Sequence, residues 1–360
     1  MDRPITLTDV AKEAGVAVGT ASRVLNNVSN VNPESRRRVM EVVARLNYRR
    51  LRMRRNSRFG GQRGGETPCN IGLVLLGMDE TLVHVPVLSA VLHGVESAVT
   101  GMNGNLLFAN VPKGDSVPAF FKSGQVSGLI VKTSQYGALP HPDSNPLIKG
   151  ILRLPVVWVW AKPEGAPGDV CSFNHETAAQ LVAKHLAERG HRRVAYVNPK
   201  KGKTSLEHIK KQFQFSCETL GLELTLIESG SDRVARWPEP ALTRPDELLP
   251  LIDQWMAISK ERRPTAFFVP ADNISLQVSA ALQQRGLRAG RDISLISLNN
   301  ESSLVQAMNP TLTTVDVNAQ RIGARCVEQL LWRVDHPGDT VSQTILLEPF
   351  LVPGASVVQL

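Results

Sequence analysis

From residue 70 onward, short runs rich in Val, Ile and Leu alternate with longer segments whose apolar positions recur every three or four residues. The runs predict strands at 71–76, 106–110, 128–132, 156–160, 194–197, 222–227, 266–269 and 293–298. The longer segments predict helices near 87–99, 175–189, 205–220, 246–260, 272–285 and 317–334. Strands alternating with helices build parallel, doubly wound sheets. A body of this length exceeds one sheet of ordinary size, so two lobes are expected, with a cleft at the carboxyl ends of the strands, where such folds hold ligands.

Before residue 60 the helical period dominates. Thr8 is placed to cap a helix over 9–14 that Gly15 ends, and a second helix follows at 18–26 with Ala21, Val24 and Leu25 inward and Thr20, Ser22 and Arg23 outward. Asn32 and Pro33 open a third, which carries Val39, Val42, Val43 and Leu46 on one stripe. Helix, Gly-containing turn, helix is the pattern of the DNA-binding helix-turn-helix, whose second helix enters the major groove.

Charge separates the same two parts. Residues 1–65 hold fourteen Lys/Arg against five Asp/Glu, and the rest of the chain holds 27 against 28, so a basic module precedes a nearly neutral body. A generic three-helix bundle would explain the period but not this charge. The run Phe59-Gly-Gly-Gln-Arg-Gly-Gly65 marks the break between the parts. Cys69, Cys171, Cys217 and Cys326 lie far apart with no Cys-x-x-Cys, as expected of reduced thiols with no metal site. No apolar leader opens the chain and its longest apolar stretches, 71–78 and 154–161, fall short of a membrane span. The expected setting is the cytoplasm, with the protein on the bacterial nucleoid and no membrane partner.

The stretch Ile5-Thr-Leu-Thr-Asp-Val-Ala-Lys-Glu-Ala-Gly-Val-Ala-Val-Gly-Thr-Ala-Ser-Arg-Val-Leu-Asn26, followed by Arg36-Arg-Arg-Val and Leu46-Asn-Tyr48, resembles the lactose-repressor/galactose-repressor (LacI/GalR) family of transcription factors. In the body, His185-Leu-Ala-Glu-Arg-Gly-His-Arg-Arg-Val-Ala-Tyr196, Arg263-Pro-Thr-Ala-Phe-Phe-Val-Pro-Ala-Asp272 and Pro310-Thr-Leu-Thr-Thr314 resemble the family's periplasmic-binding-protein-like domain. The resemblance implies an all-α helix-turn-helix head joined to an α/β two-lobed domain of doubly wound parallel sheets. It also implies residues 1–58 as the DNA-binding domain with a basic hinge, 59–69 as a Gly/Arg-rich linker, and 70–360 as the ligand-binding and dimerisation domain. The first lobe is expected at 70–173 and 316–340, and the second at 174–315 and 341–360. The partners implied are a double-stranded DNA operator of pseudo-palindromic sequence, a second copy of the chain, and a small-molecule effector, a sugar or related metabolite.

By the same resemblance, bases are read by Ala17, Val18 and Gly19 at the start of the second helix and by Arg23. Val18 and Gly19 offer only apolar contact or close backbone approach, so Arg23 is the polar base reader. Thr6, Thr20, Ser22, Asn26 and Tyr48 suit phosphates, which set register without carrying sequence information; for Thr6 and Asn26 helix capping is an equal alternative. The hinge departs from the family. Arg49, Arg50, Leu51, Arg52, Met53, Arg54 and Arg55 stand where a Pro-Asn-x-x-Ala-x-x-Leu hinge helix is usual, with Ser57 at the place of the wedging Leu. These arginines could follow phosphates or a narrow minor groove, with Leu51 or Met53 as substitute wedge, or form a basic tether that adds only salt-sensitive affinity.

The effector positions diverge too: Asn174-His175 replaces the common Asp-Asn, Ser297-Leu298-Asn299 replaces Gly-Phe-Asp, Gly354 replaces an Arg, and Lys210 and Lys211 are the nearest cations to another missing Arg. His175, Lys210, Trp237, Asp272, Asn273 and Asn299 are the candidate effector contacts. Carboxylates and Arg forks bind sugar hydroxyls bidentately, so amides in their place argue against an ordinary sugar. Trp158 and Trp160, alternate on one strand, suit core or interface packing better than ligand stacking; Trp237 suits either. His175 reads equally as a helix-start residue and Asp272 as a cap.

Enzyme motifs fail. Gly202-Lys203-Thr204 resembles the end of a phosphate-binding loop, but Val197 stands where that loop needs Gly; position 179 is Ala where a zinc-protease pattern needs His; no Gly-x-Ser-x-Gly occurs. Neither catalysis, a cofactor nor a metal is expected. The expectation is a ligand-responsive regulator, in the main a repressor. The alternatives are a small-molecule-binding protein with an incidental head and an architectural DNA binder whose pocket is dead.

Overall fold

The structure is a computed structural model that describes residues 7–25, 32–45, 69–77, 86–112, 114, 116–122, 125–133, 141–229 and 248–360. It divides into two compact units, 1–58 and 59–360.

In the first unit, α1 (Leu7–Glu13), α2 (Val18–Leu25) and α3 (Pro33–Arg45) enclose Val10, Ala11, Ala14, Ala21, Val24, Val39 and Val42. Gly15 takes the left-handed conformation at φ +62°, and the Val16 amide reaches back to the Ala11 carbonyl at 3.0 Å, which closes α1. α1 begins at Leu7, so Thr8 lies inside the helix instead of capping it. The Asn32 side chain does cap α3, accepting from the Glu34 amide at 2.8 Å, with Pro33 at the first helical position.

The second unit contains two six-stranded sheets. The first holds β1 (Asn70–Leu76), β2 (Asn105–Val111), β3 (Gly128–Thr133), β4 (Val156–Val159), β5 (Asp169–Phe173) and β11 (Thr344–Leu347), all parallel, in the order β11-β5-β4-β3-β1-β2. The second holds β6 (Arg193–Asn198), β7 (Glu223–Glu228), β8 (Ala266–Phe268), β9 (Ser294–Leu298), β10 (Thr313–Asp316) and β12 (Phe350–Val352), in the order β12-β10-β9-β8-β6-β7, antiparallel only at β12. Between the strands run α4 (Pro86–Gly101), α5 (Ala119–Lys122), α6 (Pro146–Ile151), α7 (His175–Glu188), α8 (Thr204–Leu220), α9 (Leu249–Met256), α10 (Asp272–Gln284), α11 (Ser302–Ala307) and α12 (Ala319–Asp335). No helix among the described residues is long and apolar enough to cross a membrane.

Burial on both faces explains the continuous apolar runs of β1, β3, β4 and β9. The chain crosses between lobes after β5, after β10 and after β11. Because β11 pairs with β5, residues 344–347 belong to the first lobe, which corrects the expected boundary at 341. The crossovers are tied together: Glu348 accepts from Asn174 Nδ2 at 3.0 Å, and its carbonyl accepts from Asn318 Nδ2 at 2.7 Å. α4 and α12 cross closely enough in the first lobe that Gly94 and Gly323 face carbonyls of the opposite helix.

Candidate functional site

The turn and α2 present one edge of the first unit outward. Ala17 is exposed, Val18 is 43% exposed, and an added Cβ at Gly19 would meet nothing within 4 Å. Thr20 is half-buried, while Ala21 and Val24 are buried against α1 and α3. The helical period therefore leaves a low, apolar edge at the start of α2, the part that enters a major groove in this motif. Thr6, Asn26, Tyr48 and Arg49 through Arg55, and the side chains of Ser22 and Arg23, lie outside the described residues.

In the body, a cleft between the lobes encloses about 100 Å³. Three of the expected contacts line it: His175, Asn273 and Asn299. His175 is the first residue of α7, and its ring lies 4.1 Å from Phe173 and stacks at 4.8 Å on His208. Burial lowers its pKa to about 4, helped by His208 beside it, so the imidazole is a flat neutral surface near pH 7. The helix is capped by Asn174, which accepts from the amides of Glu176 and Thr177. Asn299 follows β9 at φ +112°, a conformation that Asn tolerates better than most residues.

Two expected contacts do not line the cleft. Lys210 is held between Glu207 at 2.5 Å and Glu228 at 3.0 Å, so its charge is already spent inside the second lobe. Asp272 is fully buried and accepts from Ser297 Oγ, from Thr314 Oγ1 at 2.8 Å and from the Glu301 amide at 2.7 Å. It is no helix cap; it joins α10, β9, β10 and the start of α11 beneath the cleft. Trp237 lies outside the described residues.

The cleft also contains residues that pattern reasoning missed. Lys132 sits at the carboxyl end of β3 and is 3% exposed, donating to the Thr133 carbonyl at 2.6 Å. Trp160 lies just past β4, where φ +70° turns it out of the strand alternation and into the cleft, 5.2 Å from Lys132 Nζ; Trp158 stays in the core. Lys200, Lys203 and Ser205 come from the loop between β6 and α8 and the first turn of α8. The available signals were a Lys closing the apolar run of β3 and the Lys-rich turn after β6, both at strand carboxyl ends.

A helix-turn-helix joined to a two-lobed α/β domain with a cleft at its strand ends defines a DNA-binding regulator that also carries a ligand-binding fold. Residues 6–50 match the model of bacterial regulatory proteins of the lacI family, and 183–357 match the periplasmic binding protein-like domain. The head is thus a lacI-family helix-turn-helix domain and the body a periplasmic binding protein-like domain. The chain is 27% identical to the HTH-type transcriptional repressor PurR of Mannheimia succiniciproducens over 98% of both chains, and 28% identical to that of Aliivibrio fischeri ES114 with the same coverage. The lac repressor dimer bound to operator and the anti-inducer ONPF shares the fold at TM-score 0.62 and 23% identity, covering 99% of this chain and 100% of that one. A transcriptional regulator CelR–cellobiose complex does so at TM-score 0.61 and 19% identity, covering 98% and 99%.

Proposed function

We propose that two copies of the chain bind a pseudo-palindromic operator and repress transcription from it, and that a small molecule between the lobes sets their affinity for DNA. The observation that carries this reading is the presence, in one chain, of the exposed apolar edge of α2 and of a cleft lined by polar groups from both lobes. The relatives are named repressors, and the structural neighbours hold operator DNA in one case and cellobiose in another. A ligand acts here only through unequal affinity for the two lobe arrangements. Selection of bound sequences from a random DNA pool, with and without a metabolite mixture, tests the reading. An enriched palindrome that metabolites strengthen or weaken is expected; no enrichment at moderate salt refutes it, and enrichment that no metabolite alters favours the architectural alternative.

Two substitutions dissect the DNA contacts. Arg23→Ala is expected to relax base preference at one position per half-site and to cost about 1–3 kcal/mol per contact. An unchanged preference in a repeated selection would reduce Arg23 to a phosphate contact. Replacing the arginines of residues 49–63 with neutral residues is expected to flatten the dependence of log Kd on log salt, and an unchanged slope would mean that they never approach DNA.

A further inference from the structure

We infer that Glu301 is the latch between the lobes: its carboxyl, aimed by the turn 299–301 of the second lobe, holds the first amide of α4 in the first. What the cleft binds beside that turn is thereby felt as a change in lobe arrangement. This rests on the cleft being the effector site, and it names the contact through which that site regulates.

A hydrogen bond across the lobe boundary carries the inference. The Val87 amide donates to Glu301 Oε1 at 3.0 Å, and the two residues are 4% and 5% exposed. α4 opens on Pro86, which has no N–H, so Val87 presents the first of the amides that a helix cannot satisfy within itself. The other lobe supplies its acceptor. Glu301 stands at the N-cap of α11, yet its side chain makes no capping bond to that helix. Its carboxyl reaches the first lobe instead of serving its own element.

The turn before it is built to aim that carboxyl. Asn299 and Asn300 take φ +112° and +54° in succession, backbone that residues other than glycine seldom adopt. Such a conformation persists where its surroundings over-determine it. Here Asp272 accepts from Ser297 Oγ before the turn and from the Glu301 amide after it, the latter at 2.7 Å, while Asn300 Nδ2 donates to Asp316 on β10 at 2.9 Å. Asn299 faces the cleft from the second lobe, and Val87 faces it from the first. A ligand that touches Asn299 therefore acts two residues from the latch, and one that touches Val87 acts on the residue it holds.

The test uses the full chain without DNA and reads the cleft through Trp160, which lines it on the first-lobe side. Acrylamide quenching of tryptophan fluorescence is measured in the native protein, in Glu301→Ala, Glu301→Asp and Glu301→Gln, and in the control Glu188→Ala. Each is repeated with Trp160→Phe, so that the Trp160 signal is obtained by difference. Stranding the buried Val87 amide shifts the balance between lobe arrangements by about tenfold. Glu301→Ala is therefore expected to raise the quenching of Trp160 about twofold, and Glu301→Asp, one methylene short of the amide, to do the same. Glu301→Gln keeps an acceptor oxygen and should quench like the native chain, as should Glu188→Ala. Should Glu301→Ala fail to fold, Glu301→Asp decides the matter. Native-like quenching in whichever of the two folds, an equal rise in Glu301→Gln, or a rise that survives Trp160→Phe would overturn the inference. On the operator obtained by selection, the fold-change in Kd produced by the metabolite mixture should shrink about threefold or more in Glu301→Ala and persist in Glu301→Gln. An undiminished response would overturn the latch and leave the regulator standing. A failed selection, or an operator that no metabolite affects, would remove the ligand-responsive reading while the quenching data still judge the latch.

Discussion

Asp272→Ala is expected to lower the stability of the body by about 3 kcal/mol, because it strands a hydroxyl on β9, a hydroxyl on β10 and the Glu301 amide, all buried, without their acceptor. In Tm this corresponds to roughly 6–12 °C. Asp272→Asn retains one acceptor oxygen, and the two hydroxyls can rotate to meet its amide, so it should lose about 1 kcal/mol. The pH dependence supplies an independent signature. Burial raises the Asp272 carboxyl to about 6 against the hydrogen bonds that favour its charged form, and burial together with Asp272 raises Glu301 to about 7. Both exceed the value of about 4 in an unfolded chain, so the folded protein binds the extra protons. The stability these groups contribute is complete below about pH 4 and is lost as pH rises through 6 and 7. Denaturant unfolding of Asp272→Ala across that window should show a flatter pH profile than the native chain; a parallel profile would mean that Asp272 titrates normally.

Gly323→Ala should cost about 3 kcal/mol, although Ala is the better helix former by about 1 kcal/mol. A Cβ at Gly323 would lie 2.1 Å from the Val91 carbonyl oxygen, and one at Gly94 would lie 1.9 Å from that of Gln320. Neither neighbour is the movable end of a side chain. α4 and α12 would have to part, loosening the packing around Val91, Val95, Ile322 and Cys326, and a close-packed interior does not fill such gaps at no cost. Gly94→Ala should behave alike, and the double substitution should cost less than the sum, since one separation of the helices relieves both overlaps. A stabilised Gly323→Ala protein in urea unfolding would show that the helices stand farther apart than described.

Much of this architecture is legible in the linear pattern. The alternating runs predict the strands that became β1 to β4 and β6 to β9, because those segments are apolar and bounded by turn residues. β5, β10, β11 and β12 escape it. Asp169-Val-Cys-Ser-Phe173 and Thr313-Thr-Val-Asp316 are short and half polar, and they are strands because neighbouring strands satisfy their backbones and local partners satisfy their side chains. Asp169, for instance, is fully buried, with Gln329, Arg333 and the Gln343 amide donating to it. β11 and β12 together close one edge of each sheet, and nothing in Thr344–Leu347 announces which sheet it joins.

The site divides similarly. Helical spacing alone puts Ala21 and Val24 inside and leaves Ala17, Val18 and Gly19 outside, since three short helices around one apolar stripe admit few other arrangements. In the cleft, the reading misled in both directions: the family resemblance proposed Lys210, whose charge is consumed by two glutamates, and strand alternation assigned Trp160 with Trp158 to core or interface packing. The order of elements, the basic head and the two-lobed plan are properties of the sequence itself, because hydrophobic period and charge act locally. Which side chains line the cleft was decided by tertiary structure alone. Lys132, Trp160 and Lys203 come from different elements of two lobes, and only the positive φ at Trp160 and the packing of the lobes bring two cations and an indole to one place.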